Sequence, residues 1–525
     1  MNCFSRYFAA TVLPCALLSA DWITSGADAQ RSGWAKSETT ITRDNVNTLQ
    51  LEWKIKLDNE PKELNSLMTP VVVDKIITPR GFKEFIFVAG SSDNLYVLDA
   101  DTGKMVWQKH FTMEAPVAGR NSFWLCPNAL NATPAVHSVP GLGKTLFVIS
   151  TDGRLHALNV NNGEDRFPPK QFVPPYSKVW SLNVVNTAPP RQGGGSSILY
   201  TSTSQGCGGT KSGVWSMDLN SPDKNVSFFQ SSTGGAGVWG RGGPVVGFDG
   251  TVYAETGDGA YDPANGKYAD TFLALSAKDL KLVDYYTPAN QDWIDRRDLD
   301  MGNISPVLFR YKGRELIVGA GKEGVLYLLD AKSLGGDTHR KPLFRSPLYT
   351  NEDVDFAGRG FWGAFASWED DKGVRWVYAP AWGPVHPKAP AFPAVNGPAP
   401  NGSIMAFKVD EKDGQPVLTP AWISRDMNVP EPPVIANGVV FALSSAEFVR
   451  QAKDSGSLFS SKERAEAAVG NAILYAFDAQ TGKELFSSAK TMPSFTHFGG
   501  LAISNGRVYV TTFDGMLYAY GLKTD

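Results

Sequence analysis

One sequence pattern recurs eight times along this chain and restricts its fold more than any other feature. The copy that begins at Phe85 reads FIFVAGSSDNLYVLDADTGKMVW: an apolar strand, a turn, a second strand, an Asp-Thr-Gly turn and a third strand that ends in tryptophan. Alternating apolar and polar residues are typical of β-strands, and Asp-Gly or Asn-Gly pairs favour tight hairpin turns. The copies, about 60 residues apart, begin at Phe85, Thr145, Ile198, Gly250, Glu315, Arg375, Gly438 and Arg507.

A repeat of this length indicates four-stranded blades stacked around an axis, because a lone sheet cannot bury both of its faces. The sequence therefore predicts an all-β chain that folds as an eight-bladed β-propeller with four-stranded antiparallel blades. The last copy ends at Tyr520 without its final strand, whereas residues 48–57 (TLQLEWKIKL) form such a strand without a repeat of their own. We expect this N-terminal strand to complete the eighth blade and close the ring, which removes two exposed sheet edges. An open solenoid is the alternative.

The first 20 residues are typical of a secretory signal. Arg6 precedes an apolar stretch, Phe8 to Leu18, which the small residues Ser19 and Ala20 follow. We predict a signal peptide over 1–20, a propeller domain over 21–525 and a periplasmic or secreted protein; a buried first helix is the alternative. No apolar stretch reaches the roughly 20 residues that span a bilayer, so no integral membrane span is predicted. A net charge of −3 without a Lys/Arg run argues against nucleic acid as a partner.

The repeat LYVLDADTGKMVW resembles the tryptophan-docking repeat of pyrroloquinoline quinone (PQQ) dehydrogenases, and DWITSGADAQRSGW resembles the start of such propellers. The resemblance covers nearly the whole chain after the predicted signal. It implies the quinoprotein fold, but non-catalytic relatives such as an outer-membrane assembly scaffold share the repeat. Two functions therefore stay open. One is PQQ-dependent oxidation of a small alcohol or polyol; the other is a binding or protein-assembly scaffold without a cofactor.

The resemblance implies two residues that hold the cofactor and its metal. In methanol- and ethanol-dehydrogenase-like quinoproteins a tryptophan lies beneath PQQ, and an asparagine in a later Gly-x-Gly-Asn binds Ca²⁺. Trp239 and Asp258, in GVWGRGGPVVGFDGTVYAETGDG, match these positions. An indole offers a quinone a stacking surface, and an aspartate is a suitable oxygen ligand for calcium. An inter-blade packing role for Trp239 and a simple turn role for Asp258 are the alternatives.

The same resemblance implies three further site residues. Asp300, in DWIDRRDLDMGNISPVLF, matches the general base that takes the alcohol proton, with Asp298 as the rival and a solvated acidic loop as the alternative. Lys322, in GAGKEGVLYLLD, matches the cation that contacts the quinone oxygens, and a solvated turn lysine is the alternative. Trp362 matches the tryptophan of a later Asn-Trp segment, although Phe361 replaces the asparagine.

Two features of these quinoproteins are missing from the chain. The third repeat, LYTSTSQGCGGTKSGVWSM, has no carboxylate where the family has a calcium-binding glutamate, and the family's adjacent cysteines are reduced to Cys126 alone. Signal removal would leave only Cys126 and Cys207, which we expect to form a disulfide in an oxidising compartment and to cap or plug the pocket. No Cys-x-x-Cys-His occurs, so no c-type haem is predicted and electrons would pass to a separate acceptor such as a soluble cytochrome.

Overall fold

The computed structural model describes residues 20–113, 117–187, 195–351 and 358–523. The predicted signal peptide lies outside these residues, apart from Ala20. The described part of the chain is almost entirely β, with two short α-helices, α1 (Gln291–Asp295) and α2 (Ser461–Glu466). Neither helix is long and apolar enough to cross a membrane.

The strands form eight separate blades, which confirms the predicted β-propeller. Each blade has four antiparallel strands at its centre; blades 3 and 6 add short extra strands, and a two-residue parallel pair joins the starts of blades 5 and 6. In chain order the strands are β1 (Leu49–Lys56); β2 (Val71–Thr78), β3 (Gly81–Gly90), β4 (Asn94–Asp99) and β5 (Met105–His110) of blade 1; β6 (Ala135–Val139), β7 (Gly143–Ile149), β8 (Arg154–Asn159) and β9 (Lys170–Gln171) of blade 2; β10 (Lys178–Val179), β11 (Asn183–Asn186), β12 (Ser197–Ser204), β13 (Gly213–Asp218) and β14 (Val226–Gln230) of blade 3; β15 (Val245–Val246), β16 (Val252–Glu255), β17 (Phe272–Leu275) and β18 (Leu282–Tyr286) of blade 4; β19 (Ile304–Ser305), β20 (Val307–Tyr311), β21 (Arg314–Ala320), β22 (Leu326–Asp330) and β23 (Phe344–Arg345) of blade 5; β24 (Gly360–Phe361), β25 (Gly363–Ala364), β26 (Ala366–Glu369), β27 (Arg375–Trp382), β28 (Ala394–Val395), β29 (Gly402–Lys412) and β30 (Gln415–Ile423) of blade 6; β31 (Val434–Ala436), β32 (Val439–Ser444), β33 (Ile473–Asp478) and β34 (Glu484–Ser487) of blade 7; and β35 (Leu501–Ser504), β36 (Arg507–Thr511) and β37 (Met516–Leu522) of blade 8.

The N-terminal strand closes the ring. Strand β1 pairs antiparallel with β37, with Leu49 opposite Leu522 and Lys56 opposite Met516, and so supplies the fourth strand of blade 8. This confirms the closure expected from the unfinished last repeat. The two ends of the sheet-forming chain are thus hydrogen-bonded to each other within one sheet.

The tryptophan at the end of a repeat connects its blade to the next one. Trp53 of blade 8 donates its indole N–H to the carbonyl of Ala100 in blade 1 at 3.1 Å. Trp107 and Trp422 donate in the same way to the following blade, at 3.2 and 2.9 Å. The turn glycine is required at this contact, since Gly103 has φ +64° and a Cβ there would lie 2.7 Å from the Trp53 ring. The repeat therefore encodes blade-to-blade docking as well as the blade.

Glu84 is a buried acid at the junction of blades 1 and 8. Asn505 donates a hydrogen bond to its carboxylate at 2.9 Å, and the Ser504 hydroxyl donates to the same oxygen. Burial raises the pKa of Glu84 from 4.5 to about 7, against the effect of the Ser504 hydrogen bond. The folded chain therefore binds this proton more tightly than the unfolded chain does.

We expect Glu84→Gln to change how stability depends on pH. The stabilisation from a raised pKa is fully present below about pH 4.5 and is lost as pH rises through about 7. The glutamine variant should therefore gain stability relative to wild type by up to about 3 kcal/mol between about pH 5 and about pH 8.5. Thermal unfolding over this range, with the exposed Glu60→Gln as control, measures the difference. A difference that stays constant with pH would contradict the assignment.

Candidate functional site

All eight blades contribute to one cavity of about 710 Å³. Its wall includes residues of blade 1 (Met68), blade 3 (Lys178), blade 5 (Lys322) and blade 8 (Leu501), and the N-terminal residues near Arg31. Because every blade reaches it, the cavity lies on the axis of the ring, where the loops between strands converge. Loops at the ends of propeller strands are common positions for binding sites, since the rigid blades hold them.

Two tryptophans predicted to contact the cofactor meet in this cavity. The ring centroids of Trp239 and Trp362 are 5.7 Å apart at an interplanar angle of 68°. Trp362 stacks on Trp382 behind it, with centroids 4.4 Å apart and rings nearly parallel. The Trp362 indole donates to the carbonyl of Arg359 at 2.7 Å. Trp239 is therefore braced from one side by two further indoles and presents an aromatic surface to the cavity.

Lys322 lies beside this aromatic group and is paired with two aspartates. Its Nζ is 2.5 Å from Asp300 Oδ2 and 2.8 Å from Asp298 Oδ1. The same ammonium group lies 5.3 Å from the Trp239 ring centroid and 5.4 Å from that of Trp362. Only 3% of Lys322 is exposed. Lys322 and Asp300 are both buried, so neither is the solvated residue that the sequence left as an alternative.

The backbone before Asp258 brings a third carboxylate to the group. The amide of Asp258 donates to Asp300 Oδ1 at 3.0 Å, and that of Gly259 donates to Asp295 Oδ1 at 2.6 Å. Gly257 allows this approach, because a Cβ at this position would lie 2.0 Å from Asp300 Oδ1. Carboxylate oxygens of Asp258, Asp298 and Asp300 lie within 4.8 Å of one another. We call these three residues and Lys322 the aspartate–lysine cluster.

The charges in this cluster determine which carboxyl groups are ionised. Burial and the neighbouring carboxylates of Asp300 and Asp298 raise the pKa of Asp258 to about 10. Burial also raises the pKa of Asp298, to about 6, although Lys322 opposes this. Burial disfavours ionisation of Asp300, yet the Lys322 charge and the surrounding hydrogen bonds hold its pKa below the usual range. Three carboxyl groups thus share one ammonium group, and the cluster retains a proton at neutral pH.

Cys126 and Cys207 form a disulfide with their Cα atoms 5.5 Å apart, as predicted. Both cysteines are fully buried and neither lines the cavity. Their neighbours Leu125 and Gly206 do line it. The expectation that the bridge itself caps or plugs the pocket is therefore wrong. The bridge instead joins two wall-forming loops, of blades 2 and 3, behind the surface they present.

A second group of charged residues in the wall was not identified from the sequence. His497 Nδ1 and Arg464 Nη2 lie 2.7 and 3.1 Å from Glu447 Oε1. Arg241 pairs with Glu431. These residues come from blades 7 and 8 and from the segment before blade 4, and no local motif marks them. The one available signal was the long insertion in blade 7, which carries Arg464 on α2.

Comparisons with known proteins support the resemblance seen in the repeats. A model of the glucose/ethanol/alcohol dehydrogenase β-propeller domain family (PQQ) matches residues 22–172. A 1-butanol dehydrogenase (cytochrome c) from Thauera butanivorans is 24% identical over 362 residues, or 61% of this chain and 48% of that protein. The dehydrogenase subunit of an alcohol dehydrogenase (quinone) from Komagataeibacter europaeus is 24% identical over 60% of this chain and 44% of its own length. The chain thus spans about half the length of the curated relatives it matches.

Solved structures extend the likeness to nearly the whole fold. The quinohemoprotein alcohol dehydrogenase from Comamonas testosteroni has a TM-score of 0.58 at 15% identity, covering 96% of this chain and 81% of the other. A europium-containing methanol dehydrogenase has a TM-score of 0.59 at 15% identity, covering 96% and 98%. The family match ends before Trp239, so the roles of the cavity residues remain predictions. The resemblance of this chain to the quinoprotein alcohol dehydrogenase-like β-propellers is confirmed.

Proposed function

We propose that the propeller binds PQQ and a metal ion in the axial cavity and oxidises an alcohol there. The proposal rests on one observation: Trp239 and Asp258 of blade 4 and its leading segment meet Asp298, Asp300 and Lys322 of blade 5 and its leading segment in one cavity. The proposal includes a periplasmic location for a propeller domain over residues 21–525, and a separate electron acceptor such as a cytochrome. The names of the two curated relatives, a butanol and an alcohol dehydrogenase, support the substrate class.

The cavity residues fit the two groups. Trp239 offers an indole surface with Lys322 beside it, which suits a planar, electron-poor quinone. Three carboxyl groups against one ammonium group leave a charge of −2 when all are ionised, and a hard cation would balance it. Asp298 provides a carboxylate in addition to the predicted ligand Asp258, which compensates for the glutamate missing from the third repeat.

The residues of the cluster would divide the chemistry between them. PQQ, when bound on Trp239, would supply the acceptor for the hydride of the alcohol carbon. Asp300, ionised at neutral pH, would accept the hydroxyl proton, and Lys322 would hold its ammonium group towards the quinone oxygens. Asp258 and Asp298 would hold the cation. Trp239 would support the quinone face, and Trp362 would keep the Trp239 ring in place.

Titration of the purified protein with PQQ and Ca²⁺ tests the proposal. The quinone absorbance should shift with saturation, and Trp239→Ala should weaken the affinity at least about fivefold, since stacking contributes about 1 kcal/mol beyond the buried area. Trp215→Ala is the matched control, because its indole stacks on Phe228 and does not line the cavity. Absence of any saturable shift with the wild-type chain would favour the scaffold function instead.

A further inference from the structure

Lys178 is a cation in the cavity wall without a counter-ion. It stands at the start of blade 3 in β10, and its Nζ lies 5.3 Å from the Trp180 ring centroid. Its ammonium group makes no hydrogen bond or ion pair with any residue in the described part of the chain. By contrast Lys322, Arg241 and Arg464, which line the same cavity, each pair with a carboxylate. Lys211, also in this wall, has no ion pair among the described residues, but its side chain is exposed.

Lys178 is partly buried in this wall. Burial and the charge of Arg464 lower the pKa of Lys178 to about 7. Glu447, the nearest acid to Arg464, already accepts from both Arg464 and His497. A partly buried cation is stabilised by an anionic partner, and a carboxylate beside Lys178 would supply one.

Trp180, which lies beside Lys178, belongs to a group of aromatic and cationic side chains in this part of the wall. Trp180 lies 5.9 Å from Phe498 between ring centroids, and the guanidinium of Arg241 stacks 3.8 Å above the Phe498 ring. The Trp180 indole donates to Ser204 at 2.8 Å, which fixes its orientation. The residues come from blades 3 and 8 and the segment before blade 4, whereas Lys322 and Trp362 belong to blades 5 and 6. Lys178 and the aspartate–lysine cluster thus line the same cavity from different blades.

We propose that the substrate is an alcohol that also carries a carboxylate, a hydroxy acid or sugar acid whose carboxylate pairs with Lys178. The inference rests on the proposed function, because it names the substrate class of the same cavity. A neutral alcohol supplies no anion for Lys178, so the acid should bind more tightly than a neutral polyol of the same length unless a carboxylate of PQQ is the partner of Lys178. A charge-assisted hydrogen bond of this kind raises affinity by roughly tenfold to a little over 100-fold.

Calorimetric titration of the purified chain with D-gluconate and with D-sorbitol tests this, because the two probes share a hydroxylated carbon chain and differ in the carboxylate. We expect gluconate to bind roughly 10- to 100-fold more tightly than sorbitol. Lys178→Met, which keeps the aliphatic stem, should abolish that preference, and Lys178→Arg should retain much of it. Lys211→Met is the matched control, since Lys211 lines the same cavity from the same blade.

The PQQ titration, repeated on the same variants, separates this inference from the proposed function. Wild-type protein that binds PQQ but shows no preference for gluconate would overturn the substrate assignment alone. A Lys178→Met protein that loses PQQ affinity and keeps the gluconate preference would also overturn it, because the quinone would then be the partner of Lys178. A gluconate preference that depends on Lys178, in a protein that never binds PQQ, would support the anion site and remove the dehydrogenase function.

Discussion

Asp300→Asn is expected to lower the turnover of the PQQ- and Ca²⁺-loaded protein by roughly 10²- to 10⁴-fold, the usual cost of a lost general base. The amide cannot accept the hydroxyl proton, whereas it preserves the shape of the side chain and can still accept the hydrogen bond from the Asp258 amide. Quinone affinity should change little, because Trp239 and Lys322 remain. Alcohol-dependent dye reduction measures turnover, and the quinone absorbance titration measures binding.

Asp298→Asn is the comparison that makes this result specific to Asp300. Asp298 has the same chemistry and also pairs with Lys322, but about half of its side chain is exposed, whereas that of Asp300 is buried. We expect Asp298→Asn mainly to weaken Ca²⁺ binding, with turnover recovered at high Ca²⁺. A larger loss of turnover at saturating Ca²⁺ in Asp298→Asn than in Asp300→Asn would move the general base to Asp298.

Removal of the Cys126–Cys207 disulfide should cost about 4 kcal/mol of unfolding free energy, because the bridge closes a loop with a sequence separation of 81. The double serine variant should therefore unfold at a clearly lower denaturant concentration than the wild type. Reduction of the wild-type protein should reproduce the shift. We also expect weaker PQQ binding, since the bridge holds two loops that form the cavity wall. An unchanged unfolding midpoint in the double variant would show that packing alone fixes these loops.

The repeated order of strands and turns was enough to predict the architecture from the sequence alone. The order of strand, turn and docking tryptophan is local information, and each copy specifies both a sheet and its contact with the next sheet, as Trp53 shows at Gly103. The missing last strand and the unpaired N-terminal strand together specified closure. Turn glycines and alternating strands follow from backbone conformation and burial, which are properties of short segments.

The sequence predicted only those site residues that lie in motifs of the resembled family. Trp239, Asp258, Asp300, Lys322 and Trp362 carry recognisable neighbours in the sequence, and the fold brings them to one cavity. The sequence offered Asp298 only as an alternative to Asp300 for the general base. Its contribution depends on where its carboxylate lies relative to Lys322. Distances between side chains on different blades are set by how the blades stack around the axis.

Only the tertiary structure identified Lys178 and the position of the disulfide. The sequence does not distinguish Lys178 from a lysine on the protein surface. Its position in the cavity wall beside Trp180 and near Arg464 is seen only in the folded structure. The cysteines were predicted to pair, but whether their sulfur atoms face the cavity depends on the packing of two loops from different blades. Strand pairing within a blade and the order of the blades are encoded in short segments of the sequence. Burial, charge compensation and the shape of the cavity arise from contacts between residues distant in the chain.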